Sequence, residues 1–346
     1  MDKDTLFRQG KIAPTIFKLA IPLVISQLIN VLYNVVDRIY ISNIPEIGND
    51  AFGGLNICFP ILMIVSAFSS LFGMGGAPLL SIKLGQNKKD EASDILHTSF
   101  VMLILIGAVL TAILLIFRTP LLYLFGAKDE IIGYSLDYLS YYAIGTIAVM
   151  LSLGLNAFAS AQGHTVVAMI TVSVGALINI VLDPILIYAC GMNVKGAAIA
   201  TVVSQVVSAI WITAFLFGKK PAIRLQLRKM RIRPRLLLSI LALGVSPFIM
   251  QSTESLVQIT FNLQIRKYAA PEQYLTYLNM MSIFLTVMQM IMLPLSGIAQ
   301  GATPMISYNY GSGDLVRVKK SYLVMLAMTS GYSMFMYLTI LIFPTL

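Results

Sequence analysis

Three carboxylates stand inside long apolar runs of this chain: Asp37 in LYNVVDRIYI, Asp183 in INIVLDPILI and Glu254 in MQSTESLV. An ionised acid in such surroundings is expensive, so each one demands a partner. Asn179 precedes Asp183 by four residues, one helical turn, and so shares its face. Together with Thr201 these residues offer Asp, Asp, Asn and Thr. All are oxygen-bearing side chains of hard-donor character, suited to Na+ or to an exchangeable proton. Pro184 lacks the N–H that would bond the carbonyl of Ile180, which leaves that carbonyl as a further oxygen ligand. The quieter reading has Asp183 anchoring a kink and Asp37 pairing with Arg38 at an outer surface.

Glu254 has different neighbours. Gln251, Ser255 and Gln258 recur beside it at helical spacing, a polar stripe that must face protein or water. It reads either as a substrate-charge or second cation site, with Glu254 and Gln251 as its members, or as plain interhelical hydrogen bonding. Catalytic chemistry finds little material. Cys58 and Cys190 both fall in apolar stretches and read as reduced, structural thiols. His97 and His164 are far apart, and no Ser/Lys or paired-His constellation stands at depth. The expectation is a protein that is not an enzyme and has no cofactor beyond an ion that it moves, Na+ or H+.

The elements that must position these groups follow from composition. Of 346 residues, 58% are apolar and 11% charged, with a mean hydropathy of +0.83. A soluble domain carries about a quarter charged residues. This balance excludes a water-soluble enzyme, a disordered chain and a nucleic-acid binder, whatever the net charge of +9 suggests. A bilayer core of about 30 Å needs roughly 20 apolar residues per helix. Nine segments qualify: 15–41, 52–80, 95–117, 131–157, 166–188, 196–217, 236–263, 275–308 and 322–343. The first reads as an uncleaved span rather than a signal peptide. With the N-terminus in the cytoplasm, eighteen Lys and Arg fall on inner segments, including eight between Lys219 and Arg235. Six, Arg38 among them, fall outside. The basic excess is thus a topology signal, with anionic lipid as a secondary partner. In this topology Asp37, Asp183 and Thr201 share one depth in the outer half of the first spans.

The chain also repeats itself. Pro22 in AIPLVISQ matches Pro247 in GVSPFIMQ at an offset of 225, and Pro78, Ser81 and Gly85 match Pro304, Ser307 and Gly311 at 226. Both copies start inside, so the repeat is parallel. Gly85 and Gly311 read as helix-terminating glycines before basic loops. The organisation expected is a six-span lobe over 1–217, a basic cytoplasmic linker over 218–235, and an incomplete second lobe of three spans over 236–346. A repeat of this length predicts a full protein of twelve spans, nine of them here. Smaller signals are weaker. Thr201, Ser204, Gln205 and Ser208 form a small-residue stripe read, Thr201 apart, as helix packing. Met280, Met281, Met288, Met290 and Met292 suit an adaptable apolar cavity or lipid contact equally. Tyr138, Tyr141 and Tyr142 read as an interfacial belt. Pro22, four turns below Asp37, is a hinge candidate.

The runs NVLYNVVDRIYIS and FPILMIVSAFSSLFGMGGAPLLSIKLGQ resemble the start of the multidrug and toxic compound extrusion (MATE) transporters, of the MepA-like and DinF-like bacterial kind. GALINIVLDPILI with KGAAIATVVSQ resembles their fifth and sixth spans. The resemblance implies an all-α, V-shaped pair of six-helix bundles in a bacterial plasma membrane, acting as a monomer among membrane lipids. It implies export of small organic cations against inward Na+ or H+ flow. By position, Asp37, Asn179, Asp183 and Thr201 match the family's first-lobe cation site, Pro22 its bending proline, and Glu254 a second-lobe acid of some members. The runner-up is a flippase for lipid-linked oligosaccharide, which wants cavity arginines for a pyrophosphate.

Overall fold

The computed structural model describes residues 7–342, and among them the chain is helical without a strand. The long helices are α1 (Ile12–Ser42), α2 (Gly48–Gly85), α3 (Lys89–Ile116), α5 (Asp129–Ala161), α6 (Thr165–Pro184), α7 (Asn193–Phe217), α8 (Pro234–Tyr268), α9 (Tyr274–Ser312) and α10 (Leu315–Ile342). A seven-residue helix, α4 (Arg118–Leu124), joins α3 to α5. Eight of these, α1 to α3 and α5 to α9, are long and apolar enough to cross a membrane. The ninth expected span falls on the 28-residue α10, and its last residue, Phe343, lies outside the described residues. The observed helices overrun the apolar segments by a turn at several ends, because polar turns continue a helix into the headgroup region. Thus α2 extends to Gly85 and α3 starts at Lys89. The short α4 was not expected, and neither was a wide π-helical turn at Ile185–Ala189, just after Pro184. Breaks of this kind follow where a proline withholds its donor.

Within the first repeat α5 is the central helix, packed against α2, α3 and α7, while α1 pairs with α6 and α6 with α7. Between the repeats α1 packs on α9, α2 on α8, and α2 on α9. These contacts obey the offset read from the sequence. A side chain at Gly85 would collide with the carbonyl of Tyr308, and one at Gly311 with the carbonyl of Ile82. Ile82 and Tyr308 are themselves 226 residues apart, so each copy offers the other the same face. The chain thus folds as a parallel repeat about a pseudo-two-fold axis.

The two helices do end at these positions, at Gly85 and at Ser312, but the glycines are not left-handed caps. Neither takes a left-handed conformation; Asn87 (φ 59°) and Gly313 (φ 82°) do so instead. Gly85 and Gly311 are small so that two backbones can touch, a common device between membrane helices. Pro22 lies beside another such crossing. Gly301 abuts Ala20, and a Cβ on Gly297 would lie 3.0 Å from the Cα of Val24.

The 218–235 segment is strapped to the start of α3 and the end of α5. Ile223 and Leu225 are buried, while Arg224 and Gln226 face outward. The Ile223 N–H donates to Gln162 Oε1 at 2.8 Å, the Gln226 N–H donates to His97 Nε2 at 2.8 Å, and Arg233 pairs with Asp94 at 2.8 Å.

Candidate cation site in the first repeat

Four helices bring the site together. Asp37 comes from α1, Asn179 and Asp183 from α6, Thr201 from α7 and Tyr138 from α5. Asn179 and Asp183 are completely buried, and Asp37 and Thr201 are 7% exposed. The α6 spacing works as geometry requires: Asn179 Nδ2 donates to Asp183 Oδ1 at 3.2 Å and to Thr201 Oγ1 at 3.4 Å. The Asp37 and Asp183 carboxyls are close neighbours, and Tyr138 lies near Thr201. Two neighbouring carboxylates repel unless a proton or a cation lies between them. Three more acceptors are buried here without a donor: Asp37 Oδ1, Asn179 Oδ1 and Asp183 Oδ2. A buried cluster rich in lone pairs and poor in protons suits a hard cation or an added proton. The donor set therefore fits either ion.

Packing at their C-terminal ends holds α1 to α6. The Tyr188 hydroxyl donates to the carbonyl of Tyr40 at 2.6 Å, and the two rings meet edge to face. Gly196 at the start of α7 lies against the Leu186 backbone, close to the π turn. Thr201 is thereby held beside Asp183. The remaining small-residue stripe packs as expected: Ser208 donates to the carbonyl of Thr171, and Gln205 accepts from Ser152.

Two expectations are corrected here. Tyr138 and Tyr142 are not an interfacial belt. They are 2% and 3% exposed and stack inside the first repeat with centroids 6.2 Å apart. They lie on the inward face of α5, where an (i, i+4) pair is buried together; Tyr141, off that face, is exposed. Arg38 is not an outer-loop charge and makes no ion pair with Asp37 among the described residues. It lies within α1, half-buried, and its guanidinium hydrogen-bonds to α9. Only the periodicity of span one carried that signal, since consecutive residues on a helix face different neighbours.

Glu254 does not join this cluster; it stands on the exposed face of α8. Gln251 Nε2 donates to Ser70 Oγ at 2.7 Å, and Ser255 Oγ donates to the carbonyl of Pro60 at 2.9 Å. That half of the polar stripe bonds α8 to α2. In α9, Met280, Met288, Met290 and Met292 are exposed, while Met281 lines a small cavity shared with α1 and α2.

Comparison with known proteins bears on the fold and the family. The MatE family model matches residues 22–185 and 247–346, and its two matches begin at the repeated prolines Pro22 and Pro247. A protein of Staphylococcus saprophyticus named multidrug export protein MepA is 27% identical over 321 residues, covering 90% of this chain and 68% of its own length. The protein of that name from Staphylococcus haemolyticus is 25% identical, with 88% and 66% covered, so the chain spans about two thirds of the length of these relatives. Among solved structures, the MATE multidrug transporter DinF-BH superposes with a TM-score of 0.90 at 28% identity, over 97% of this chain and 74% of that one.

Proposed function

The chain belongs to the MatE family, and from that premise we propose that it exports lipophilic organic cations across the plasma membrane in exchange for Na+ or H+. The observation that carries this reading is the buried Asp37–Asp183 pair, bridged between α1 and α6 and surrounded by acceptors without donors. In this account the outward-facing protein takes the coupling cation between the two carboxylates, with Asn179 and Thr201 holding Asp183 in place. Loading places a positive charge between the two carboxylates, relieves their repulsion and draws α1 toward α6. The cleft between the repeats shrinks, and the drug leaves outward. Pro22, beside the α1–α9 crossing, is the point about which α1 bends. Emptying the site toward the cytoplasm, with the N-terminus on that side, resets the cycle. Exchange of this kind requires that ion and drug prefer different states, since a ligand shifts an equilibrium only through differential affinity. The exposed Glu254 on α8 is the proposed contact for a positively charged substrate. The oligosaccharide-flippase alternative wants free arginines, and Arg38 at the junction is already bonded to α9.

The test is ethidium efflux from energised cells that lack other pumps. The protein exports ethidium, and Asp183→Asn at equal expression abolishes that export. Equal efflux from both would leave a transporter but remove this site.

A further inference from the structure

The two repeats are joined differently at their two ends. On the inner side the joints are close contacts of backbone on backbone, Gly244 on the Leu71 carbonyl, Gly85 on Tyr308 and Gly301 on Ala20, together with Arg317 donating to the carbonyls of Phe7 and Gly10. On the outer side they are hydrogen bonds between polar side chains. Asn279, Ser282 and Thr286 form a single stripe of α9 (i, i+3, i+7). Asn56 of α2 donates to Asn279 Oδ1 at 3.1 Å. Arg38 Nη1 donates to Ser282 Oγ at 2.9 Å, to the Ser282 carbonyl at 3.2 Å, and to Thr286 Oγ1. The guanidinium also lies 4.7 Å from the centroid of the Phe59 ring on α2. Beside it is a cavity of about 20 Å³ lined by Arg38, Asn56, Gln258, Asn262 and Ser282, room for about one water molecule. Asn56 Oδ1 is buried there without a partner. With this cavity beside them, the bonds of the outer joint can be exchanged for bonds to water as the helices part.

Arg38 directly follows Asp37, and on a helix the two side chains diverge by about 100°. Asp37 faces α6 and the cation site; Arg38 faces α9. The repeat partner of Arg38, 225 residues on, is Leu263, so this connection has no counterpart in the second copy. We propose that Arg38 is an outer latch, a positioning residue that carries the state of the Asp37–Asp183 pair to the junction between the repeats. The sign follows from charge. An unloaded pair is negative and attracts the neighbouring guanidinium away from α9, which frees the junction. A loaded pair carries one negative charge fewer and pulls less on the guanidinium, and Arg38 turns to Ser282 and Thr286. The inference rests on the cation-site reading above and adds the element through which that site is felt at the cleft.

The experiment reads the junction without transport. With Cys58 and Cys190 replaced by alanine, Asn262→Cys is labelled in intact cells by a membrane-impermeant maleimide. Sodium chloride is compared with choline chloride at fixed pH, and acid with neutral pH at fixed salt. In the parent one of these cations slows labelling. In Arg38→Gln labelling in that cation becomes about tenfold faster, roughly the worth of one hydrogen bond to a charged group, and no longer depends on the cation. Ser282→Ala/Thr286→Val does the same while leaving the arginine in place, and so serves if Arg38→Gln fails to fold. Arg38→Lys restores part of the cation dependence. Cation dependence retained in Arg38→Gln and in the Ser282/Thr286 variant would overturn the latch. That result would leave the cation site standing, since its own test is efflux in Asp183→Asn.

Discussion

Asn179 connects the site's chemistry to its geometry, because one amide group donates both to Asp183 and to Thr201. Removing it frees the Asp183 carboxylate to turn and leaves Thr201 without its donor. Asn179→Ala is therefore expected to weaken the apparent affinity for the coupling cation by about tenfold, the scale of one charge-assisted hydrogen bond. Thr201→Ala, which leaves the bond to Asp183 in place, has a smaller effect. The cation dependence of ethidium efflux measures both, and unchanged affinity in Asn179→Ala would remove that residue from the site. These positions were legible in the sequence because a carboxylate in an apolar run is costly wherever the chain folds. The tyrosines beside them were not. An aromatic near the end of a span is as good at an interface as in an interior, and only packing separates buried Tyr138 and Tyr142 from exposed Tyr141. Arg38 was hidden for a related reason: a charge inside a span but near its end reads as reaching the outer surface until its partners on α9 are seen.

At the scale of elements, glycine sets how closely helices cross. A Cβ on Gly244 meets the Leu71 backbone, which cannot give way as a side-chain tip can. Gly244→Ala is expected to cost about 1–3 kcal/mol, the usual penalty of overpacking, visible as earlier thermal unfolding in detergent. Gly133, on α5 with nothing near its missing side chain, is the control. There Gly→Ala is expected to stabilise by about 0.5–1 kcal/mol through the unfolded chain. Equal melting of the two variants would contradict the crossing. The inter-repeat segment gives a second test. Gln162→Ala with Asp94→Asn removes one acceptor and one ion-pair partner from the strap, and trypsin is expected to cut this Lys/Arg-rich stretch faster. Apolar length placed the long helices well, because a helix inside a bilayer must satisfy its own backbone. Length could not reveal α4, the π turn or the strap, which depend on proline donors and tertiary hydrogen bonds. It also misread Gly85 and Gly311, whose spacing was right and whose role was packing.

The whole molecule has two kinds of surface. The outer faces of α8, α9 and α10 expose Leu256, Phe261, Ile283, Phe284, Met334 and Phe335. Apolar faces of this extent suit lipid or further helices, and the matched relatives are about a third longer than this chain. Trp211 on α7, 46% exposed, is the only tryptophan in the sequence. Brominated lipid is therefore expected to quench most of the tryptophan fluorescence, and an unquenched signal would place α7 away from the bilayer. The parallel repeat was visible in matched prolines and glycines, and the structure turns that offset into matching contacts across an axis. The central claim concerns how these parts work together: cation and drug oppose each other through the Asp37–Asp183 pair. Coupling is reciprocal in binding free energy, with typical factors of about 5 to 150. The direct measurement is the affinity of purified protein for ethidium, with and without sodium and at acid and neutral pH. One of these cations is expected to weaken ethidium binding at least about fivefold in the parent, and to have no effect in Asp183→Asn. A parent that binds ethidium equally under all conditions, or an Asp183→Asn variant that keeps the shift, would contradict the account.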